Sequence, residues 1–92
     1  MSRSVPPSVR EVFEGELLDW LNRNHCREGA SIGRDTALFK ERWLDSLGIL
    51  ELIAWIERAI GCTIPDEQIR MDHFRSVADI ALTFVRGDHD AR

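Results

Sequence analysis

The stretch from Ser46 to Ile60 constrains the fold more than any other part of the chain. Ile49, Ile53, Ile56 and Ile60 recur at helical spacing as one stripe, Leu52, Trp55 and Ala59 widen it, and Leu47, Leu50 and Ala54 fall mostly on the other side. A helix that is apolar on so much of its circumference either lies deep in a larger core or leaves side chains exposed for a partner. With 92 residues the chain has room for one core and cannot easily cover every side of such a helix, so an exposed, partner-facing side is expected. Asp45 or Ser46 opens this helix, Arg58 stands in its last turn, and Gly61 is placed to end it.

The rest of the chain supplies the elements that pack on it. Ser8-Val9-Arg10-Glu11 has the form of a capping box, and Val9, Phe13, Leu17, Trp20 and Leu21 follow at helical spacing, which predicts a first amphipathic helix to about His25. Between Arg27 and Arg42, Gly29 and Gly33 sit among charged residues, and Ile32, Leu38 and Phe39 are the only large apolar side chains. This reads as a long ordered loop pinned by those side chains, and loops of this length in small domains often carry function. Pro65-Asp66-Glu67 suits a first helical turn and predicts a short third helix to about Met71. Ser76, with Asp79 three residues on, caps a last helix through Val85 whose buried side is Val77, Ile80, Ala81, Phe84 and Val85, with Gly87 closing it. No window alternates apolar and polar residues with β-branched enrichment, so no strand is expected. The expected fold is all-α, a four-helix bundle with a long loop after helix one and a short third helix. Residues 1–7 form a flexible leader, 8–86 the domain and 87–92 a flexible tail.

Composition narrows the function. The chain is 43% hydrophobic and 30% charged, which suits a soluble globular protein and suggests neither disorder nor a membrane span. Twelve Lys and Arg against sixteen Asp and Glu give a net charge of −4, which argues against a nucleic-acid partner. Cys26 and Cys62 form no C-x-x-C, and the N-terminus has no signal-peptide h-region, so neither a zinc site nor secretion is indicated and a reducing cytoplasm is the simplest location.

The chemistry concentrates at Asp45-Ser46-Leu47. A serine at the start of that helix points its hydroxyl away from the bundle, beside free amides and a dipole that favour a phosphate on its oxygen. Read alone, the tripeptide favours Ser46 as a helix cap, a common use of serine, and it is the flanking sequence that shifts the balance. His25 beside Cys26 suggests a nucleophile and base, but neighbouring helix residues point apart, and a helix-end histidine is the plainer role. Trp20, Trp43 and Trp55 read as packing, with Trp43 close enough in sequence to Ser46 to flank whatever that serine carries, and His73 reads as a loop histidine. A serine hydrolase lacks an evident base or oxyanion hole.

From Leu38 to Val85 the chain resembles the acyl carrier protein family: D-S-L at a helix start, Glu51 and Glu57 along that helix, then Ile64-Pro65-Asp66, then Ser76-Val77 opening the last helix. The resemblance implies a non-catalytic monomer whose Ser46 carries 4'-phosphopantetheine, attached covalently from coenzyme A by a phosphopantetheinyl transferase with Asp45 beside the phosphate. An acyl or aminoacyl cargo then rides as a thioester on the arm, loaded by an acyl- or amino acid-activating ligase and passed to a downstream transferase or synthase. Carried over by position, Leu47, Leu50, Glu51, Ala54 and Glu57 form the partner-docking face. Gly48 and Arg58 stand where fatty-acid carriers usually have acids, and Trp43-Leu44 replaces the glycine before the aspartate. These features look more like the carriers of amino acids, including D-alanyl and peptidyl carriers. The alternatives are a fatty-acid or polyketide acyl carrier and, from another class, an unmodified helical interaction module.

Overall fold

The computed structural model describes residues 8–85. The leader at 1–7, residue 86 and the tail at 87–92, with the helix-closing Gly87, lie outside the described residues. Three α-helices run in order, α1 (Val9–Asn24), α2 (Ser46–Ile60) and α3 (Val77–Phe84), with two 3-10 turns, Asp66–Gln68 and Met71–His73, between α2 and α3. No strand occurs among the described residues.

Each helix begins on the residue whose side chain stops the chain extending. The Ser8 hydroxyl accepts from the Glu11 amide at 3.1 Å while Glu11 Oε1 accepts from the Ser8 amide at 3.0 Å, so two otherwise unpaired donors are satisfied reciprocally. Ser76 does the same work for α3, where its hydroxyl accepts from the Asp79 amide at 3.2 Å and donates to the Asp79 carboxylate at 3.0 Å. At the other end of α2, Gly61 takes a left-handed φ of 77°, which only glycine adopts without steric penalty, and its amide closes on the Glu57 carbonyl.

The helices bury Phe13, Leu17 and Leu21 from α1, Leu52 and Ile56 from α2, and Val77, Ile80 and Ala81 from α3. Trp55 joins α2 to α1, taking the Phe13 ring edge-on with centroids 5.5 Å apart and lying 6.2 Å from Trp20. Both tryptophans therefore pack, as the sequence suggests. Val9 and Ala59 are exposed, although helical spacing counts them toward apolar faces.

The long connection between α1 and α2 is ordered by three anchors. The Asn22 side chain brackets Ile32, accepting from its amide at 2.8 Å and donating to its carbonyl at 3.0 Å. Arg34 grips the buried Glu14 carboxylate with two hydrogen bonds of 2.9 and 3.0 Å, and that hydrogen-bonded partner pushes the guanidinium pKa above its ordinary value. Leu38 is fully buried, its amide donating to the Arg75 carbonyl at 2.9 Å, and the Arg34 carbonyl accepts from the Ala78 amide at 2.9 Å. The loop thus seals the side of the bundle where α3 starts.

The short third helix expected from Pro65 to Met71 is instead the pair of 3-10 turns, with extended backbone at Arg70 between them. Proline and two acids start a helical turn here, but Ile69 and Met71 are exposed at 40% and 64%, so no buried face rewards its continuation. Arg70 donates to Asp72 at 3.3 Å and holds that carboxyl below the usual carboxylate range.

Leu38→Ala is expected to lower stability by about 2–5 kcal/mol, because a fully buried leucine leaves a cavity that the loop cannot fill. Thermal unfolding followed by circular dichroism measures it, and an unchanged midpoint would show that the loop is not pinned there.

Candidate functional site

Asp45, not Ser46, caps α2. Its backbone is extended at φ −110°, ψ −168°, and Oδ1 accepts from the Gly48 amide at 2.8 Å. Ser46 is therefore the first residue inside the helix, exposed, with its hydroxyl released from the capping role that its position alone also allowed. The Ile49 amide reaches the Asp45 carbonyl at 3.0 Å, whereas the amides of Ser46 and Leu47 find no acceptor among the described residues. Two free N–H groups and the positive end of the helix dipole lie at the helix tip where Ser46 stands, an arrangement that favours a phosphate there. A phosphodiester on Ser46 thus fits the groups present.

The approach to this helix is fixed from the loop side. The amides of Trp43 and Leu44 both point at the Leu38 carbonyl, at 2.8 and 3.3 Å, and Leu44 is buried. Gly48 is also buried: a Cβ there would lie 3.1 Å from Leu44 Cδ2, 3.3 Å from Asp45 Oδ1 and 3.4 Å from His25 Cε1. An acidic side chain at this position would meet both the packed leucine and the capping carboxylate, which gives a physical reason for glycine.

Leu47 and Leu50 stand out at 65% and 63% exposed, and Glu51 is exposed beside them. Ala54 is half-buried on the same helix. Glu57 is half-buried too, and its Oε2 accepts from the Ile64 amide at 2.9 Å, so this acid secures the chain leaving α2 rather than standing free. The five docking residues implied by the family resemblance therefore divide into an outward group (Leu47, Leu50 and Glu51), the half-buried Ala54, and an acid that is already engaged.

His25, a helix-end residue by its sequence position, does cap α1, its amide donating to the Leu21 carbonyl. Its side chain is only 16% exposed and brings Nε2 to 3.4 Å from Glu51 Oε1, with the ring 5.2 Å from Trp20. Cys26 turns elsewhere, its Sγ 2.9 Å from the Ala30 carbonyl oxygen, so the pair forms no nucleophile and base. His73 Nδ1 lies 2.9 Å from the Gln68 carbonyl and its ring meets Phe84 edge-on, a packing role.

Arg27 escapes a reading of the sequence. Its guanidinium lies over the Trp43 ring, 4.1 Å from the centroid, and one Nη donates to the carbonyls of Glu41 and Arg42, each at 2.7 Å. Only the excess of charge in the loop hints at such a contact. No helix among the described residues is long and apolar enough to cross a membrane.

Comparison with known proteins bears on this geometry. Residues 15–84 match the family described as "Phosphopantetheine attachment site". The D-alanyl carrier protein of Bacillus velezensis is 31% identical over 68 residues, a span covering 74% of this chain and 87% of that protein. The reading as an unmodified interaction module falls away with that match. An all-α bundle without strands among the described residues, an exposed serine at the tip of its apolar helix and a family match over most of its length place this chain among the phosphopantetheine-bearing carrier proteins, which are not themselves enzymes.

Proposed function

We propose that Ser46 is the attachment residue, and that the arm it carries holds an aminoacyl group as a thioester for transfer between enzymes. The observation that supports this most is the division of labour at the start of α2, where Asp45 caps the helix and leaves the Ser46 hydroxyl exposed beside two free amides. In the loading reaction the serine oxygen bonds to the phosphopantetheine phosphorus of coenzyme A. The diphosphate bond breaks, and the hydroxyl proton and the nucleotide bisphosphate leave. The thiol of the arm supplies the chemistry, and the protein contributes position: a tethered cargo meets each docked enzyme at high effective concentration.

The aminoacyl cargo is supported by the D-alanyl carrier relative and by Gly48, whose packing against Leu44, His25 and the Asp45 carboxylate disfavours the acid usual in fatty-acid carriers. An amino acid-activating ligase loads the arm, and a downstream aminoacyl transferase receives the cargo. The docking face centres on Leu47 and Leu50, whose exposed apolar area is what a shallow pocket on a partner would cover, with Glu51 at its edge. Asp45, the neighbour of Ser46 in the chain, is the residue we assign to assist the transferase. We place the protein in the cytoplasm, where coenzyme A serves as donor, with Cys26 and Cys62 as free thiols.

Incubation with a promiscuous phosphopantetheinyl transferase and coenzyme A is expected to add one phosphopantetheine to the intact mass, and Ser46→Ala is expected to add none. Modification of the Ser46→Ala chain would overturn the assignment. Incubating the modified protein with ATP, a D-alanine-activating ligase and D-alanine, and in parallel with a fatty-acyl ligase and a fatty acid, separates the cargoes: loading only by the second would favour the fatty-acid or polyketide reading.

Leu50→Arg places a charge on the docking face and is expected to raise the KM of loading enzymes for the carrier about tenfold, equivalent to ~1.4 kcal/mol of binding, with an unchanged helical spectrum. An unaltered KM would move docking to another surface.

A further inference from the structure

Arg42 is the only non-glycine residue with positive φ among the described residues, at 64°, and it lies four residues before Ser46. A side chain in the left-handed region is disfavoured for an L-residue and persists only where the surroundings hold it. Here Arg27 holds it. The guanidinium is planar, so it uses two surfaces at once: its edge donates to the adjacent carbonyls of Glu41 and Arg42, both at 2.7 Å, and its face covers the Trp43 indole. The indole Nε1 in turn donates to Glu41 Oε1 at 3.1 Å, closing the turn on itself. Arg27 is exposed, and its guanidinium makes no other hydrogen bond among the described residues, so all of its side-chain polar contacts go to this turn.

The turn sets the path of the chain into the modified helix. Past Arg42, Trp43 hangs from the Leu38 carbonyl, Leu44 is buried and Asp45 caps α2, so the direction in which the chain enters the helix is decided at Glu41–Trp43. The backbone also closes the turn, with the Glu41 amide on the Ala37 carbonyl and the Arg42 amide on the Phe39 carbonyl, each at 3.0 Å, and Arg27 is the side chain that bridges to it from outside.

We infer that Arg27 is a positioning residue for the modification of Ser46, holding the Glu41–Trp43 turn in the left-handed form that presents Asp45 and Ser46 to the transferase. The inference rests on Ser46 being the attachment residue. Without the clamp the turn samples other conformations, and a transferase that accepts only one of them sees a smaller competent fraction. Lysine in place of Arg27 keeps the charge but lacks both the planar fork and the stacking face. Glycine at position 42 takes a positive φ without steric penalty and so relieves the need for the clamp.

The test measures initial rates of phosphopantetheine transfer to the full-length chain over a range of carrier concentrations, with circular dichroism to confirm folding. Arg27→Ala and Arg27→Lys are both expected to raise the KM for the carrier about fivefold with kcat little changed. Adding Arg42→Gly to Arg27→Ala is expected to recover much of that loss, with Arg42→Gly alone as the reference. Wild-type KM values in the Arg27 variants would overturn the inference, as would full activity in Arg27→Lys or a loss that Arg42→Gly leaves untouched, since either of these last results would mean direct contact between the cation and coenzyme A or the transferase. Failure of the wild-type chain to accept the arm at Ser46 would instead overturn the attachment assignment, so the two failures are separable.

Discussion

The hydrogen bond from the Gly48 amide to the Asp45 carboxylate is the contact on which the rest of the site depends. A helix start must satisfy its first amides with something, and had Ser46 done so its oxygen would be turned toward the backbone. With Asp45 in that role the helix begins one residue later, and the serine is left at the positive end of α2, in solvent, with unpaired amides around it. The same aspartate needs glycine three residues on, because the space beside its carboxylate is filled by Leu44 and His25. Cap, glycine and serine are thus one arrangement.

Around that point the structure separates rigid support from exposed apolar surface. Leu52 and Ile56 lock α2 into the core while Leu47 and Leu50 are exposed, so one helix is both wall and exposed apolar surface. Its acids do not behave alike. Glu51 is exposed but shares its surroundings with the His25 ring, and Glu57 is spent on the Ile64 amide. The outward part of this helix is therefore marked more by leucine side chains than by free negative charge.

The parts of this architecture written in local signals are readable from the sequence. Ser8 with Glu11, Gly61, and Ser76 with Asp79 mark helix ends because each satisfies or closes backbone groups within a few residues of itself, and the structure agrees at all three. The D-S-L stretch is readable as a helix start, but the choice between Asp45 and Ser46 as cap is not, since both side chains suit the role and only backbone geometry decides. The turns after α2 read as a helix because Pro65-Asp66-Glu67 specifies a beginning, whereas continuation depends on a buried face that Ile69 and Met71 do not find. Contacts that bridge distant segments, such as Arg27 on Trp43 or His25 against Glu51, leave no trace in spacing.

The two short turns give the bundle an uneven resistance to opening. Between Gly61 and Arg75 only Ile64 and Phe74 are buried, and the backbone between them is held by single-turn hydrogen bonds. Such a segment can detach and return without disturbing α1 or the inner face of α2, because little apolar area is lost when it leaves. The molecule therefore has a stiff flank that keeps the serine in place and a yielding flank beside it, so amide hydrogens at 66–73 are expected to exchange with solvent well before those of the helix that bears the serine.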